Sequence, residues 1–590
     1  MFLRLPTLLV CLCMSLQAAI ACAADRPNVV VILTDDQGWG DLSINGNENL
    51  STPNIDGLAR GGARFDRYFV CPVCSPTRAE FLTGRYHPRS SVTSTSSGGE
   101  RLDLDERLLP ELFKAAGYDT AAYGKWHNGS QPPYHPCTRG FNEFYGFCSG
   151  HWGDYFSPPL EINGEPIQGN GYITDDLTDR AVEFLSRGRK QPFFLYLALN
   201  APHTPMQVPD KWWDKFKEKR LVQYAEPGER EDVEFTRAAL AMVENVDWNV
   251  GRVLEKLKQS GLEDNTIVVF FCDNGPNSAR WNGGMRGRKG STDEGGVRSP
   301  LFVRWPKVIG RDRLITQICS AVDLLPTLTD LAGVPTTGTH PLDGRSLKPL
   351  LAGETAALPE RPVFSTWGGK VSVRTQQFRL DAQGRLYDMI SDPGQTKDVA
   401  KKFPQIRAEL ADQVSQFRID VLDGTNQDYR PFTIGNLNFP ITHLPARDAK
   451  HQGTIQRSAK APNCSYLTHW TDTKDKIYWA TDVRQPGTYQ AEVVYSCAEK
   501  NVGTVLELSC GEGKVSAEVT EEHDPPARGN EHDRVPRDTE SLVKDWKVMK
   551  LGTIELPGGE QELSLRATKI PGEQSIEFRQ LTLRLIDVPK

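Results

Sequence analysis

"NVVVILTDDQGWGD", residues 28–41, sets an apolar run directly against a cluster of acids and turn formers. From Val29 to Leu33 no polar residue interrupts the run, so it does not fit a strand with one face in water. It predicts a strand covered on both sides. Four more strand candidates follow: "YDTAAYG" (118–124), "FFLYLAL" (193–199), "TIVVFFC" (266–272) and "PLFVRWP" (300–306). Between them lie the helical patterns "DERLLPELFKAAG", "TDDLTDRAVEFLSRG" and "FTRAALAMVENVDWNVGRVLEKLKQSG". This alternation predicts an α/β fold, a mainly parallel sheet flanked by helices.

Polar clusters follow four of these strands: "TDDQGWGD", "KWHNGS", "NAPHTP" and "DNGPNS". Ligands of open α/β sheets bind at the carboxyl ends of the strands, so four distant segments are expected to converge on one site. Asp, Asn, Gly and Pro are also ordinary turn formers, but a turn does not call for Lys, Trp and His.

At 590 residues the chain is too long for one ordinary core. Its apolar fraction of 38% and charged fraction of 25% are those of a soluble globular protein. A net charge of −7 with no basic tail argues against nucleic acid as a partner. Residues 1–24 read as a signal peptide: Arg4, an apolar run from Leu5 to Ala21, then "ACAAD" with cleavage near Ala23 or Ala24 and lipidation at Cys22 as the alternative. No later stretch reaches the roughly 18 apolar residues of a transmembrane segment. The expected location is exported: periplasm, cell surface or medium. Export favours disulfides. Nine of the twelve cysteines follow Cys22, an odd number that leaves one free or modified, and Cys497 and Cys510 are candidates for a bridge.

The α/β pattern runs over residues 25–357. Residues 358–424 carry short strands ("RPVFST", "KVSVRT", "GRLYDM") and a closing helix, a small antiparallel α+β subdomain. Residues 425–590 alternate apolar and polar positions in strand after strand, predicting an appended β-sandwich. There Trp470, Trp479 and Trp546 are either a sugar platform or core aromatics, with a structural appendage the favoured reading.

"CPVCSPTRAEFLTGRY", residues 71–86, contains a C-x-x-C pair that by itself fits a redox motif or half a zinc site. From Cys74 to Arg85, however, the stretch resembles the type I sulfatase signature C-x-P-[S/T]-R-x-x-x-L-T-G-R. The order of "NVVVILTDDQGWGD", "YGKWH", "PHTP", "DNG" and "RGRKGSTDEGGVRSP" carries the resemblance across residues 26–420. Threonine at position 77, where many members have serine, is a mild departure.

The resemblance implies an alkaline-phosphatase-like fold and a sulfuric ester hydrolase. It implies that a formylglycine-generating enzyme converts Cys74 to formylglycine, whose hydrate is the nucleophile, and that Cys71 is a bystander. It gives Asp35, Asp36, Asp273 and Asn274, with residue 74, as a calcium site. Arg78 would hold the hydrate, Lys125 and Lys289 would bind sulfate oxygens, His127 would assist residue 74 and His203 would face the leaving oxygen. The chemistry agrees. Four oxygen-only ligands suit calcium or magnesium and not zinc, and sulfate-ester cleavage needs charge neutralised throughout.

Substrate-contact candidates are His151 and Asp154 in "CSGHWGDYF" and Arg280 in "SARWNGG", with Trp367 a weaker one. The expected function is an exported, calcium-dependent sulfatase acting on sulfated glycans, with a sulfated saccharide as partner. Two alternatives are a phosphomonoester or phosphonate diester hydrolase of the same superfamily and a catalytically silent sulfated-glycan-binding protein.

Only Cys74 has Pro76 and Arg78 at the required offsets. Peptide mass spectrometry of active protein should therefore find formylglycine at position 74 and an unmodified Cys71; an intact Cys74 in fully active protein would refute the assignment.

Overall fold

The computed structural model describes residues 26–226, 228–424, 430–537 and 539–587. The predicted signal segment, with Cys22, lies outside them. Eleven strands form the central sheet: β1 (Asn28–Thr34), β2 (Ala63–Phe69), β3 (Asp119–Lys125), β4 (Glu143–Phe147), β5 (Pro159–Ile162), β6 (Glu165–Gln168), β7 (Phe193–Ala198), β8 (Thr266–Cys272), β9 (Arg298–Arg304), β10 (Arg313–Ile315) and β11 (Cys319–Ser320). Their order is β10-β2-β9-β8-β1-β7-β3-β4-β5-β6, with β11 beside β2. The centre, β8-β1-β7-β3-β4, is parallel. β9 runs antiparallel to both β8 and β2, and β5 and β6 extend the far edge as an antiparallel hairpin.

All seven residues of β1 are buried. Val29, Val31 and Leu33 face one core and Val30 and Ile32 the other, as the pleat requires. The first core is roofed by α1 (Cys74–Thr83), α2 (Leu109–Ala115) and α3 (Leu324–Ala332). The second is covered by Pro53–Arg60, Ile173–Ser186 and the long Val233–Gln259 helix. This is the expected α/β layering. At the end of β3, Gly124 (φ 113°) lets β3 and β7 close up, since a Cβ there would lie 2.0 Å from the Ala198 carbonyl oxygen.

A four-stranded antiparallel sheet follows, Val363–Trp367, Lys370–Arg374, Phe378–Leu380 and Leu386–Asp388, closed by the helix Pro404–Phe417. Beyond it two six-stranded sheets enclose a separate apolar core. Trp470 and Trp479 belong to that core, each 1% exposed, so neither serves as a sugar platform. Trp546 is half-buried and stacks edge-on with Tyr466.

No disulfide forms among the described residues; the cysteines from Cys71 to Cys510 are free. The bridge anticipated between Cys497 and Cys510 is absent: both are free, Cys497 following Gly487–Ser496 in one sheet of the sandwich and Cys510 ending Val505–Cys510 in the other. Among the described residues no helix is long and apolar enough to cross a membrane.

Trp479 packs against Phe578 with ring centroids 5.9 Å apart. Trp479→Ala should cost about 3–5 kcal/mol, the usual penalty for emptying a buried aromatic site, and lower the melting temperature measured by calorimetry. An unchanged melt would contradict a core role.

Candidate active site

Four parallel strands end on one pocket. The residues after β1 are Asp35 and Asp36, and the φ of 64° at Asp36 turns the chain back on itself. In an extended strand neighbouring side chains diverge; here both carboxylates come within 4.8 Å of His203 and of each other. β8 ends at Asp273 and Asn274, β3 at Lys125 with His127 two residues on, and β7 leads to His203. His127 also takes a left-handed backbone, φ 60°. Non-glycine residues in that region cost about 1–3 kcal/mol and persist only where the surroundings enforce them.

Cys74 is the first residue of α1, so its backbone lies at the positive end of the helix dipole. Its sulfur comes within 4.8 Å of ligand atoms on Asp35 and Asp273. The Thr77 hydroxyl donates to the Asp273 carbonyl at 2.5 Å and accepts from the Cys71 amide at 2.8 Å. Both bonds need only a hydroxyl, which accounts for threonine at this position.

Three buried carboxylates crowd together, and cations hold them. Lys125 Nζ lies 2.5 Å from Asp35 Oδ2 and Lys289 Nζ 2.7 Å from Asp36 Oδ1. The Arg78 fork donates to Asp273 Oδ2 from Nη2 (2.8 Å) and Nε (3.2 Å), while Nη1 donates to the Lys125 carbonyl (2.7 Å) and Tyr196 (3.3 Å). Burial alone would raise Asp36, but Lys289 above all holds it well below the usual range. Asp35 is likewise lowered, with Lys125 the main opponent of its burial. Asp273 goes the other way, pushed up to about 7 by burial and by repulsion from Asp35. Asp35 Oδ1 and Asn274 Oδ1 are buried with no hydrogen-bond partner. Buried oxygens of this kind call for a cation or water that completes their coordination. Asp35, Asp36, Asp273 and Asn274 offer only oxygens, a set that suits a hard cation such as calcium or magnesium, while Cys74 as a thiol adds one sulfur.

Three histidines surround the opening. His203 Nδ1 is 2.7 Å from the Thr204 carbonyl, which makes Nδ1 the protonated nitrogen and leaves Nε2 3.6 Å from Asp36. His127 is tied through Nε2 to the Thr95 carbonyl at 2.8 Å, so its Nδ1 is unpaired. His151 stacks on His203, centroids 5.7 Å apart, and its Nε2 is buried without a partner. Burial, reinforced at His127 chiefly by Lys125 and at His151 chiefly by His203, keeps both imidazoles neutral.

The pocket has a volume of about 470 Å³ and is lined by Asp36, Cys74, His127, His151, His203 and Lys289, with Trp367 on its rim. Two sequence candidates are elsewhere. Arg280 lies behind the acids, its guanidinium 2.7 Å from Asp41 and donating to the Asp36 carbonyl at 3.0 Å, a brace with no face on the pocket. Asp154 accepts from Arg528 at 2.7 Å and from the Phe156 amide at 3.0 Å, and it anchors its loop to the sandwich. Tyr196, which fixes Arg78, was missed because it is one more aromatic residue in an apolar strand. The pocket residues of the sandwich, 461–463 and 535–540 apart from the undescribed 538, carry no motif at all.

This scaffold defines a sulfuric ester hydrolase. A sulfatase family model matches residues 27–334, and one described as N-sulphoglucosamine sulphohydrolase, C-terminal, matches residues 289–420; the chain belongs to the type I sulfatase family of the alkaline-phosphatase-like superfamily. N-acetylgalactosamine-6-sulfatase of Mus musculus is 33% identical over 381 residues, covering 58% of this chain and 69% of that protein. Steryl-sulfatase of Mus musculus is 32% identical over 432 residues, covering 56% and 65%. The crystal structure of Ps i-CgsB in complex with k-i-k-neocarrahexaose superposes with a TM-score of 0.62 at 31% identity, over 67% of this chain and 93% of that one.

Cys71 faces a different environment. It lies with Glu80 and His87 in a buried cluster beneath α1. Burial, with no cation to offset it, pushes Glu80 up to about 8. A carboxyl raised on folding contributes stability that is complete below its unfolded value and lost as pH rises toward the folded one. Glu80→Gln keeps an uncharged group there. Its melting temperature should exceed that of the unaltered protein by a margin that widens from pH 5 to pH 8; a constant margin would contradict a protonated Glu80.

Proposed function

We propose that the chain is an exported, calcium-binding, formylglycine-dependent sulfatase that removes sulfate esters from sulfated saccharides. The observation that carries this reading is the single pocket in which Cys74, at a helix N-terminus, meets Asp36, His127, His203 and Lys289, with Asp35, Asp273, Asn274 and Lys125 directly behind. The partner in maturation would be a formylglycine-generating enzyme. Export rests on the apolar run at residues 5–21.

Asp35, Asp36, Asp273 and Asn274, with residue 74, would hold calcium. When bound, it supplies charge neutralisation and polarises sulfate oxygens. Residue 74, as formylglycine, supplies the attacking hydroxyl. The other roles belong to the chain's unmodified side chains. Arg78 pins Asp273 to α1. Lys289, on the pocket wall, meets a sulfate oxygen as a point charge, and Lys125 does so from the floor. His127, with Nδ1 unpaired, is placed to take a proton from residue 74. As an imidazolium, protonated on both nitrogens, His203 would give its Nε2 proton to the departing sugar oxygen; burial and Lys289 oppose that charge and Asp36, 3.6 Å from Nε2, favours it. A sugar oxygen is a poor leaving group that gains about 10²–10⁴-fold from general acid catalysis. A saccharide substrate is supported by the relatives: N-acetylgalactosamine-6-sulfatase by name, Ps i-CgsB by its neocarrahexaose complex. A sugar also suits the pocket, whose lining combines polar groups with apolar side chains.

The test is a panel of defined sulfated mono- and disaccharides and matching phosphate esters, with free sulfate and free phosphate as readouts, run before and after chelation of divalent ions. Turnover should fall at least about 10²-fold on chelation, the loss typical of removing one major source of charge stabilisation, and return with calcium. Full activity in protein shown metal-free by elemental analysis would refute the calcium site, and turnover of phosphate esters alone would refute the reaction.

A further inference from the structure

The sandwich is more than an appendage, because it forms one wall of the active-site pocket. Ala461, Pro462, Asn463, Val535, Arg537 and Glu540 line the same 470 Å³ space as Cys74 and His203. The wall is held to the segment that carries His203. The Arg534 amide donates to the Met206 carbonyl at 2.9 Å, Gln207 and Asp533 form an antiparallel bridge, and the Gln207 amide donates to Asp533 at 2.8 Å. Arg537 is spent on this docking: it donates to Asp533 at 2.7 Å, to the Gly153 carbonyl at 2.6 Å and to the Ser541 carbonyl at 2.9 Å. Asn463 is also engaged, its carbonyl accepting from Ser149 at 3.0 Å and its Nδ2 lying 3.4 Å from His151 Nδ1.

Glu540 differs from its neighbours. It makes no ion pair among the described residues, and its carboxylate accepts only from the Thr204 hydroxyl and from the Thr539 amide at 3.4 Å. Thr204 is the residue whose carbonyl fixes His203. A carboxylate with spare lone pairs on the pocket wall is the wrong charge for sulfate. It is the right acceptor for hydroxyl groups. Ala461, Pro462 and Val535, facing Pro205, Met206 and Phe235, offer apolar surface to the carbon face of a ring.

We propose that this wall, with Glu540 as its polar contact, binds the sugar ring that carries the sulfate, so that the sandwich sets which sulfated sugar is accepted. The proposal rests on the saccharide reading given above. Two variants test it: Glu540→Ala removes the acceptor, and Ala461→Trp fills the wall without touching Glu540. For each, kcat/KM is measured on a sulfated saccharide that the unaltered protein hydrolyses and on 4-nitrophenyl sulfate, with a melt to confirm folding. Hydrogen bonds to a charged group correspond to about a ten- to hundredfold change, so the saccharide-to-aryl ratio should fall by that factor in Glu540→Ala. It should fall in Ala461→Trp as well, and in Glu540→Ala through KM, since Thr204 also contacts His203 and a disturbed proton donor would lower kcat instead; if the bulkier variant does not fold, that split in Glu540→Ala decides. A ratio unchanged in folded Glu540→Ala protein overturns the proposal and leaves the saccharide reading standing. Turnover of 4-nitrophenyl sulfate with no saccharide accepted by the unaltered protein overturns both.

Discussion

Three carboxylates that are nearly inaccessible to water, Asp35, Asp36 and Asp273, sit within a few ångströms of one another, and the rest of the molecule is arranged around that fact. Leaving one such charge unpaired in a protein interior costs several kcal/mol. Each acid therefore has a dedicated cation: Lys125 for Asp35, Lys289 for Asp36 and Arg78 for Asp273. The compensation is incomplete in a useful way. Asp273 stays raised, and Asp35 and Asn274 keep one oxygen each without a donor, so the cluster has capacity left for a hard cation. Lys289, which neutralises Asp36, also lines the pocket, while Lys125 is buried against Asp35 behind it.

The scaffold is what makes such a cluster possible. Parallel strands β1, β8, β3 and β7 end on one side of the sheet, so backbone hydrogen bonds in register bring Asp35, Asp273, Lys125 and His203 together from separate stretches of chain. α1 adds Cys74 and Arg78 from above the same edge, with all ten of its residues buried. The sandwich then closes the outer side. Its docking is polar and specific: Arg528 to Asp154, Arg534 to the Val208 carbonyl, and Arg447 to Glu100. The first two tie the sandwich to the loops that carry His151 and His203, and the third to the segment whose Thr95 carbonyl holds His127.

Much of this was legible in the sequence. Apolar runs identified β1, β3, β7, β8 and β9 to within a residue or two, because burial on both faces leaves a pattern that needs no partner to be recognised; β2 and β4, with charged residues in their runs, were not among them. Polar clusters at strand ends pointed to one site, because parallel topology dictates where those ends go. The stretch from Cys74 to Arg85 carried the family, through its residue-by-residue resemblance to a known signature and not through any periodicity of its own. What the sequence by itself determined, then, was the fold class and the set of groups at the strand ends, both consequences of local periodicity and chain topology, together with the family, through the resemblance of its motifs. The tertiary structure alone decided that Arg280 serves Asp41 from 239 residues away, that Asp154 anchors to Arg528 across 374 residues, and that Glu540 reaches the active site. Those pairings join side chains on loops, whose positions are set by how separately folded units dock, and no periodicity within the chain encodes that distance.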